Sequence, residues 1–252
     1  MTSRTTLSLA EQVAAAQEWW REAGVDLAYT DDAQAWLAAV NDEERARVAG
    51  PGPTSSDPAP RHPAIGGDPS AWPRNLPEFR RWWIADASLD AGGTHPPVVP
   101  RGPERAPLAI LVPMPEAGDS DTLLSGPQGE LIAAMAGALG LMPDELYLAS
   151  TLRRHTAMPD WNALRSGGLG EVLLHHLALA APQRLLVLGR DVLSLLEHDP
   201  AQSAPAISQI AIQGREVPLL ASYQPARLLQ RAQWRAGLWQ RLLEWTEGDT
   251  RR

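Results

Sequence analysis

"PLAILVPMPEAGDSDTLLSGPQGELIAAMAGALG", residues 107–140, decides the fold in one stretch. Its first seven residues are an apolar run with Ile110 and Val112, bounded by Pro107 and Pro113 and too short for a helix, so they read as a buried strand. An acidic loop follows. From Pro127 the chain becomes a helix, opened by proline and stopped by Gly140.

The same alternation continues downstream. "ELYLAS" (145–150) and "RLLVLG" (184–189) read as strands, and "RDVLSLLEH" (190–198) as a helix. Between the two strands, "GGLGEVLLHHLALAAP" (167–182) is a helix with Leu169, Val172, Leu173, His176, Leu177 and Ala180 on one stripe. "AISQIAIQGREVPLLASY" (206–223) reads as strand, Gln213-Gly214 turn and strand. A last helix is expected over 226–246, with Leu238, Leu242 and Trp245 on one face. Strands alternating with helices imply an α/β fold, a mainly parallel central sheet flanked by helices on both sides. Such sheets bind ligands at the carboxyl ends of their strands. Those ends are Pro113–Asp121, Ser150–His155, Gly189–Asp191 and Tyr223–Arg227.

Upstream the texture differs. Residues 1–49 read as a helical extension: Ser8 and Glu11 form a capping box ahead of Leu9, Val13, Ala16 and Trp20, and a second helix covers 32–48. Residues 50–73 are rich in Pro, Gly and Ser and read as a linker. The α/β domain is expected over 74–248, entered through a short helix in "NLPEFRRWWIAD" (75–86).

Composition excludes several chemistries. The 252 residues include no cysteine, so disulfides, thiol catalysis and Cys-ligated metal or iron–sulfur sites are out. All 22 basic residues are arginine, which rules out a lysine Schiff base. The net charge of −8 opposes a broad grip on nucleic acid, but it is uneven: residues 1–100 carry −6 and 101–252 only −2. No apolar run approaches the ~20 residues of a membrane span. The opening "MTSRTTLSLAEQ" turns polar too early for a secretory leader, so a cytoplasmic protein with no membrane partner is expected.

Three groups of residues invite a chemical reading. Glu116, Asp119 and Asp121 fall in the loop after the first strand, where a carboxylate can activate water or stabilise a cation; a solvated acidic loop is the competing reading. "TLRRHTAMPDW" (151–161) joins Arg153, Arg154, His155 and Trp161, suited to phosphate contact and stacking or to an ordinary exposed loop. His175 and His176, adjacent on a helix and about 100° apart, cannot share one ion and read as structural. No metal and no cofactor is expected. "LVLGRD" has one glycine where a dinucleotide fingerprint needs three, and no nucleophile elbow or P-loop is present. The tryptophans fall mostly at helical spacing, which favours core packing.

In order along 108–246, these segments resemble the uracil-DNA glycosylase superfamily, in particular its bacterial iron–sulfur branch. "LLSGPQGELIAAMAGALGL" is similar to the family's Phe-x-Gly segment and leucine-rich helix, and "DELYLASTLRRHTAMP" to the strand and basic loop that carry a uracil-reading Asn. "APQRLLVLGRDVLSLL" resembles its Pro-x-x-apolar-Leu-Gly strand, and "ASYQPARLL" its closing Tyr-His-Pro motif. The resemblance implies a three-layer sandwich and DNA base excision, in which the base is flipped out and the sugar–base bond hydrolysed.

Position by position, the resemblance places Asp119 at the acidic residue that serves the water or the sugar cation, and Pro115 at the proline of the same motif, followed by Glu116 instead of glycine. Leu124 stands for the stacking aromatic, Ser150 for the uracil-reading Asn and Gln224 for the leaving-group His. Pro225, Leu228 and Leu229 keep the framework, and the cluster cysteines are missing. Arg153, Arg154 and Arg227 are the expected contacts to DNA, single- or double-stranded.

Two functions follow as expectations. One is a divergent glycosylase with Asp119 as water activator, Gln224 as neutral donor and Ser150 at the base edge. The other is a non-catalytic module of the same fold, binding DNA or a protein through the cleft or through the Trp-rich N-terminal helices.

Overall fold

The computed structural model describes residues 64–196 and 206–247, with isolated positions between 8 and 19. The chain divides into two compact units, Met1–Ala59 and Pro60–Arg252. In the first, helical backbone is described at 10, 13–15 and 18–19, and Val13 and Trp19 are exposed. The expected helix over 32–48 lies outside the described residues.

The second unit is α/β, with one five-stranded sheet in the order β2-β1-β3-β5-β4. The strands are β1 (Leu108–Val112), β2 (Leu146–Ser150), β3 (Leu185–Leu188), β4 (Ala206–Ile212) and β5 (Arg215–Ser222). β1 pairs in parallel with β2 and β3, and β3 with β5; only β4 runs antiparallel, on the edge beside β5. The turn between them places Gln213 and Gly214 both at positive φ, 47° and 78°, as a two-residue hairpin turn of matching twist requires.

The helices are α1 (Leu76–Ala85), α2 (Pro127–Ala138), α3 (Trp161–Ser166), α4 (Leu169–Ala180), α5 (Arg190–Leu195), α6 (Pro225–Gln230) and α7 (Ala232–Glu247). Because strand side chains alternate, the sheet feeds two cores. Ala109, Leu111, Tyr147, Leu185, Val187 and Leu219 face α1, α4 and α5. Leu108, Ile110, Val112, Leu148, Leu186 and Leu220 face α2, α6 and α7. Helices on both faces make an arrangement compatible with a three-layer sandwich. Each large apolar side chain buried in these cores contributes about 1.5–3 kcal/mol. Among the described residues, no helix is long and apolar enough to cross a membrane.

Two expectations need correction. Residues 64–73, read as the end of a linker, are built into the domain. Ile65 N–H donates to Gly167 O at 2.7 Å, and Trp72, in the core, donates its indole N–H to Gly66 O at 2.7 Å. Low-complexity composition hid one anchoring tryptophan; residues 50–63 lie outside the described residues. The last helix, expected over 226–246, is two helices broken at Arg231, whose backbone is extended. There the Arg235 guanidinium donates to Leu228 O and Leu229 O, closing the end of α6, while Tyr223 and Trp234 stack 4.4 Å apart.

Candidate functional site

The carboxyl ends of the parallel strands are tied to one another. Thr151 N–H donates to Val112 O and Leu152 N–H to Pro113 O, joining the ends of β1 and β2. Gly189 N–H donates to Ser222 O, joining β3 to β5. His155 Nδ1 meets Pro115 O at 3.0 Å, fixing the loop after β2 to the loop after β1.

Within the first loop, Asp119 is 3% exposed and both its oxygens are engaged. Oδ2 accepts from Glu116 N–H (2.8 Å) and Leu124 N–H (2.7 Å). Oδ1 accepts from the Ser125 N–H (2.9 Å) and hydroxyl (2.6 Å). Glu116, 9% exposed, accepts at Oε1 from Gly126 and Gly129 and at Oε2 from Gln128, at 3.1–3.2 Å. It therefore caps the first turn of α2, where free amides and the helix dipole favour a negative charge. The two carboxylates fold the loop. Glu116 and Asp119 are therefore not part of a solvated acidic loop: both are buried, and of the three acids only Asp121 is exposed.

Leu124, which the resemblance sets at the place of a stacking aromatic, is buried in the α2-side core with φ +58°. Left-handed backbone is costly for a residue with a Cβ, about 1–2 kcal/mol. The bonds from Leu124 and Ser125 to Asp119 hold it there, and Gly129 makes room: a Cβ on Gly129 would lie 1.9 Å from Leu124 O.

Ser150 ends β2 in register with Val112 and is 2% exposed; its hydroxyl has no hydrogen-bond partner among the described residues. Pro115 is buried. Gln224 is half-buried and precedes α6; its backbone carbonyl accepts from Arg227 and Leu228, and its side chain makes no capping bond. Pro225 opens α6 from a buried position, and α6 packs against α2. The fold thus brings the loop of Asp119, the residue Leu124 and the start of α6 to one rim. Among the described residues, no hydrogen bond joins Asp119, Ser150 and Gln224.

The three arginines separate. Arg153 is 5% exposed and turned inward, paired with the Asp90 carboxylate and donating to the carbonyls of Trp83, Ile84 and Asp86. Arg154 also binds Asp90 (2.9 Å) and donates to His95 O (2.8 Å). Burial pushes the Asp90 carboxyl up, but Arg153, the Gly92 amide and Arg154 outweigh it and hold it below the usual range. Arg227 alone is exposed. Asp90 had no sequence signal, since it pairs with residues more than sixty positions away.

Away from the rim, His176 is fully buried under Phe79, with ring centres 4.2 Å apart, and its Nε2 meets Tyr147 Oη at 2.6 Å. Burial first, then the charges of Arg80 and His175, lower its pKa to about 3. Burial likewise raises the Tyr147 phenol, against the pull of Arg80. His175 meets Pro73 O at 2.7 Å, so both histidines are structural. No group of three or more potential metal ligands occurs among the described residues.

A cavity of about 750 Å³ lies behind the loop after β2, walled by the turn Ala87–Asp90, Ile65 and α3. Sequence reading missed it, because its walls come from four separate segments.

No protein-family model matches the chain, and no curated protein matches it.

Proposed function

We propose that this chain is a non-catalytic member of the uracil-DNA glycosylase superfamily, acting in the cytoplasm as a binding module for a protein partner. The observation that carries this reading is Asp119. A water activator needs an oxygen lone pair facing the substrate, whereas this carboxylate is buried under four donors. Leu124 and Ser150 are closed off with it, so the positions that would stack and read a flipped base offer it no surface. A protein partner is favoured over DNA because Arg153 and Arg154 are bound to Asp90 and the chain carries −8 overall.

One observation favours the second reading, a divergent glycosylase: Gln224 is half-buried and makes no capping bond, beside exposed Arg227. Two assays on the purified full chain separate the readings. One is base release from oligonucleotides bearing uracil, hypoxanthine or xanthine; the other is retention on DNA as salt is raised. The proposal expects no release and no steep salt dependence. Release would establish the enzyme, and steep salt-dependent retention would make DNA the partner.

A further inference from the structure

The sheet has two edges, and the chain treats them differently. Beyond β2, Arg101 and Leu148 exchange backbone hydrogen bonds of 2.9 and 2.7 Å, and Val98 N–H donates to Arg153 O, so that edge is closed. Beyond β4, no hydrogen bond from the described residues reaches the strand. Edge strands usually guard such a row of free N–H and C=O groups with charge or proline. β4, "AISQIAI", carries neither.

Which groups are free follows from the hairpin. Its two-residue turn makes Ile212 and Arg215 a hydrogen-bonded pair, and bonded and unbonded pairs alternate along an antiparallel ladder. Ile210 and Ser208 therefore bond to β5, while Ile207, Gln209 and Ala211 turn their backbone N–H and C=O outward. Pro218, which has no N–H to donate, falls opposite Gln209 in the unbonded set, as this phase requires. The side chains of Ile207, Gln209 and Ala211 are exposed as well, Ile207 by 44%.

We infer that β4 is a self-association edge, where two copies of this chain join antiparallel about a two-fold axis through Gln209 and continue one sheet across both. In that register Gln209 faces Gln209 of the partner subunit, and Ile207 faces Ala211 of the partner subunit. Every outward N–H and C=O then meets its counterpart, a large side chain lies against a small one, and the two amides at the axis hydrogen-bond each other. Charge favours a second copy as the occupant. Each chain carries −8, so two copies approach only along a neutral seam, and β4 has no charged residue to set against its own image. The charges of the hairpin, Arg215 and Glu216, are opposite in sign and lie on β5, inside the seam. The inference holds whether or not the chain is catalytic.

Sedimentation velocity of the full chain from about 1 to 200 µM tests it, since one strand pair makes a small interface and a Kd on the order of 10 µM is expected. Gln209 is exposed, so Gln209→Lys and Gln209→Glu spare the core while setting like charges face to face at the axis. Each variant alone, shown to be folded by circular dichroism, is expected to dimerise at least about tenfold more weakly than the wild type. An equal mixture of the two should recover the dimer, now with opposite charges across the axis. A wild type that stays monomeric over this range overturns the inference, as does a dimer that neither substitution weakens. A dimer weakened by both variants but not recovered by mixing overturns the pairing centred on Gln209.

Discussion

The Leu124 amide donates to Asp119 Oδ2 at 2.7 Å while Leu124 sits at φ +58°. A carboxylate thus holds a leucine in a backbone region that leucine avoids, and the side chain is buried as a result. The loop after β1 is organised around this pair, with Glu116 as its second fastener on α2.

Removing the Asp119 carboxylate strands four donors in a closed loop. Asp119→Ala is expected to cost about 3 kcal/mol, since each buried unsatisfied group costs roughly 1–3 kcal/mol and water relieves part of the sum. Urea denaturation measures it. A change below about 0.5 kcal/mol, within the range of ordinary surface substitutions, would refute the structural role assigned to Asp119.

Gly129→Ala tests the same loop from its other side. The new methyl would sit 1.9 Å from Leu124 O, a backbone atom that cannot step aside alone. The expected loss is about 3 kcal/mol or failure to fold, at the upper end of overpacking effects. A thermal melt unchanged from the wild type would contradict the close approach.

His176 gives stability a pH dependence. Its pKa is about 3 in the folded chain and near 6.5 when unfolded, so between these values the unfolded state binds the extra proton. Its contribution is therefore complete above about pH 6.5 and falls as pH drops, by about 1.4 kcal/mol per pH unit. Asp86 and Asp90, with lowered pKa values, keep their contributions above the carboxylate range near pH 4 and lose them below it. Urea midpoints between about pH 4.5 and 6.5 thus isolate the histidine. The slope should flatten in His176→Phe; an equal slope in both proteins would place the proton elsewhere.

Asp90→Asn leaves the buried Arg153 guanidinium without its carboxylate and is expected to cost about 3 kcal/mol. Arg154→Ala, which removes the more exposed partner, should cost less than about 1 kcal/mol. Equal effects of the two substitutions, read from chemical denaturation, would contradict the distinct roles of the two arginines.

The sheet was readable in the sequence because its strands are short apolar runs, a helix is punctuated by Pro127 and Gly140, and the hairpin is marked by Gly214. The stripe of α4 from Leu169 to Ala180 is buried at all six expected positions for the same reason. The site was readable in place but less so in role. Asp119 and Glu116 could be put in the loop after β1, but their donors are mostly backbone amides, which leave no side-chain pattern. Arg153 was legible as a cation, whereas its inward turn depends on Asp90, brought near only by the tertiary fold. Trp72 went unread because its anchoring depends on Gly66 inside a stretch that composition marks as a linker.

Single-turnover base release, with protein in excess over a uracil-bearing oligonucleotide, tests the central claim most directly. An Asp119 carboxylate engaged by four donors predicts no release beyond the protein-free control from folded protein. Release that disappears in Asp119→Asn, with that variant still folded by circular dichroism, would show that this carboxylate acts on substrate and would contradict the account.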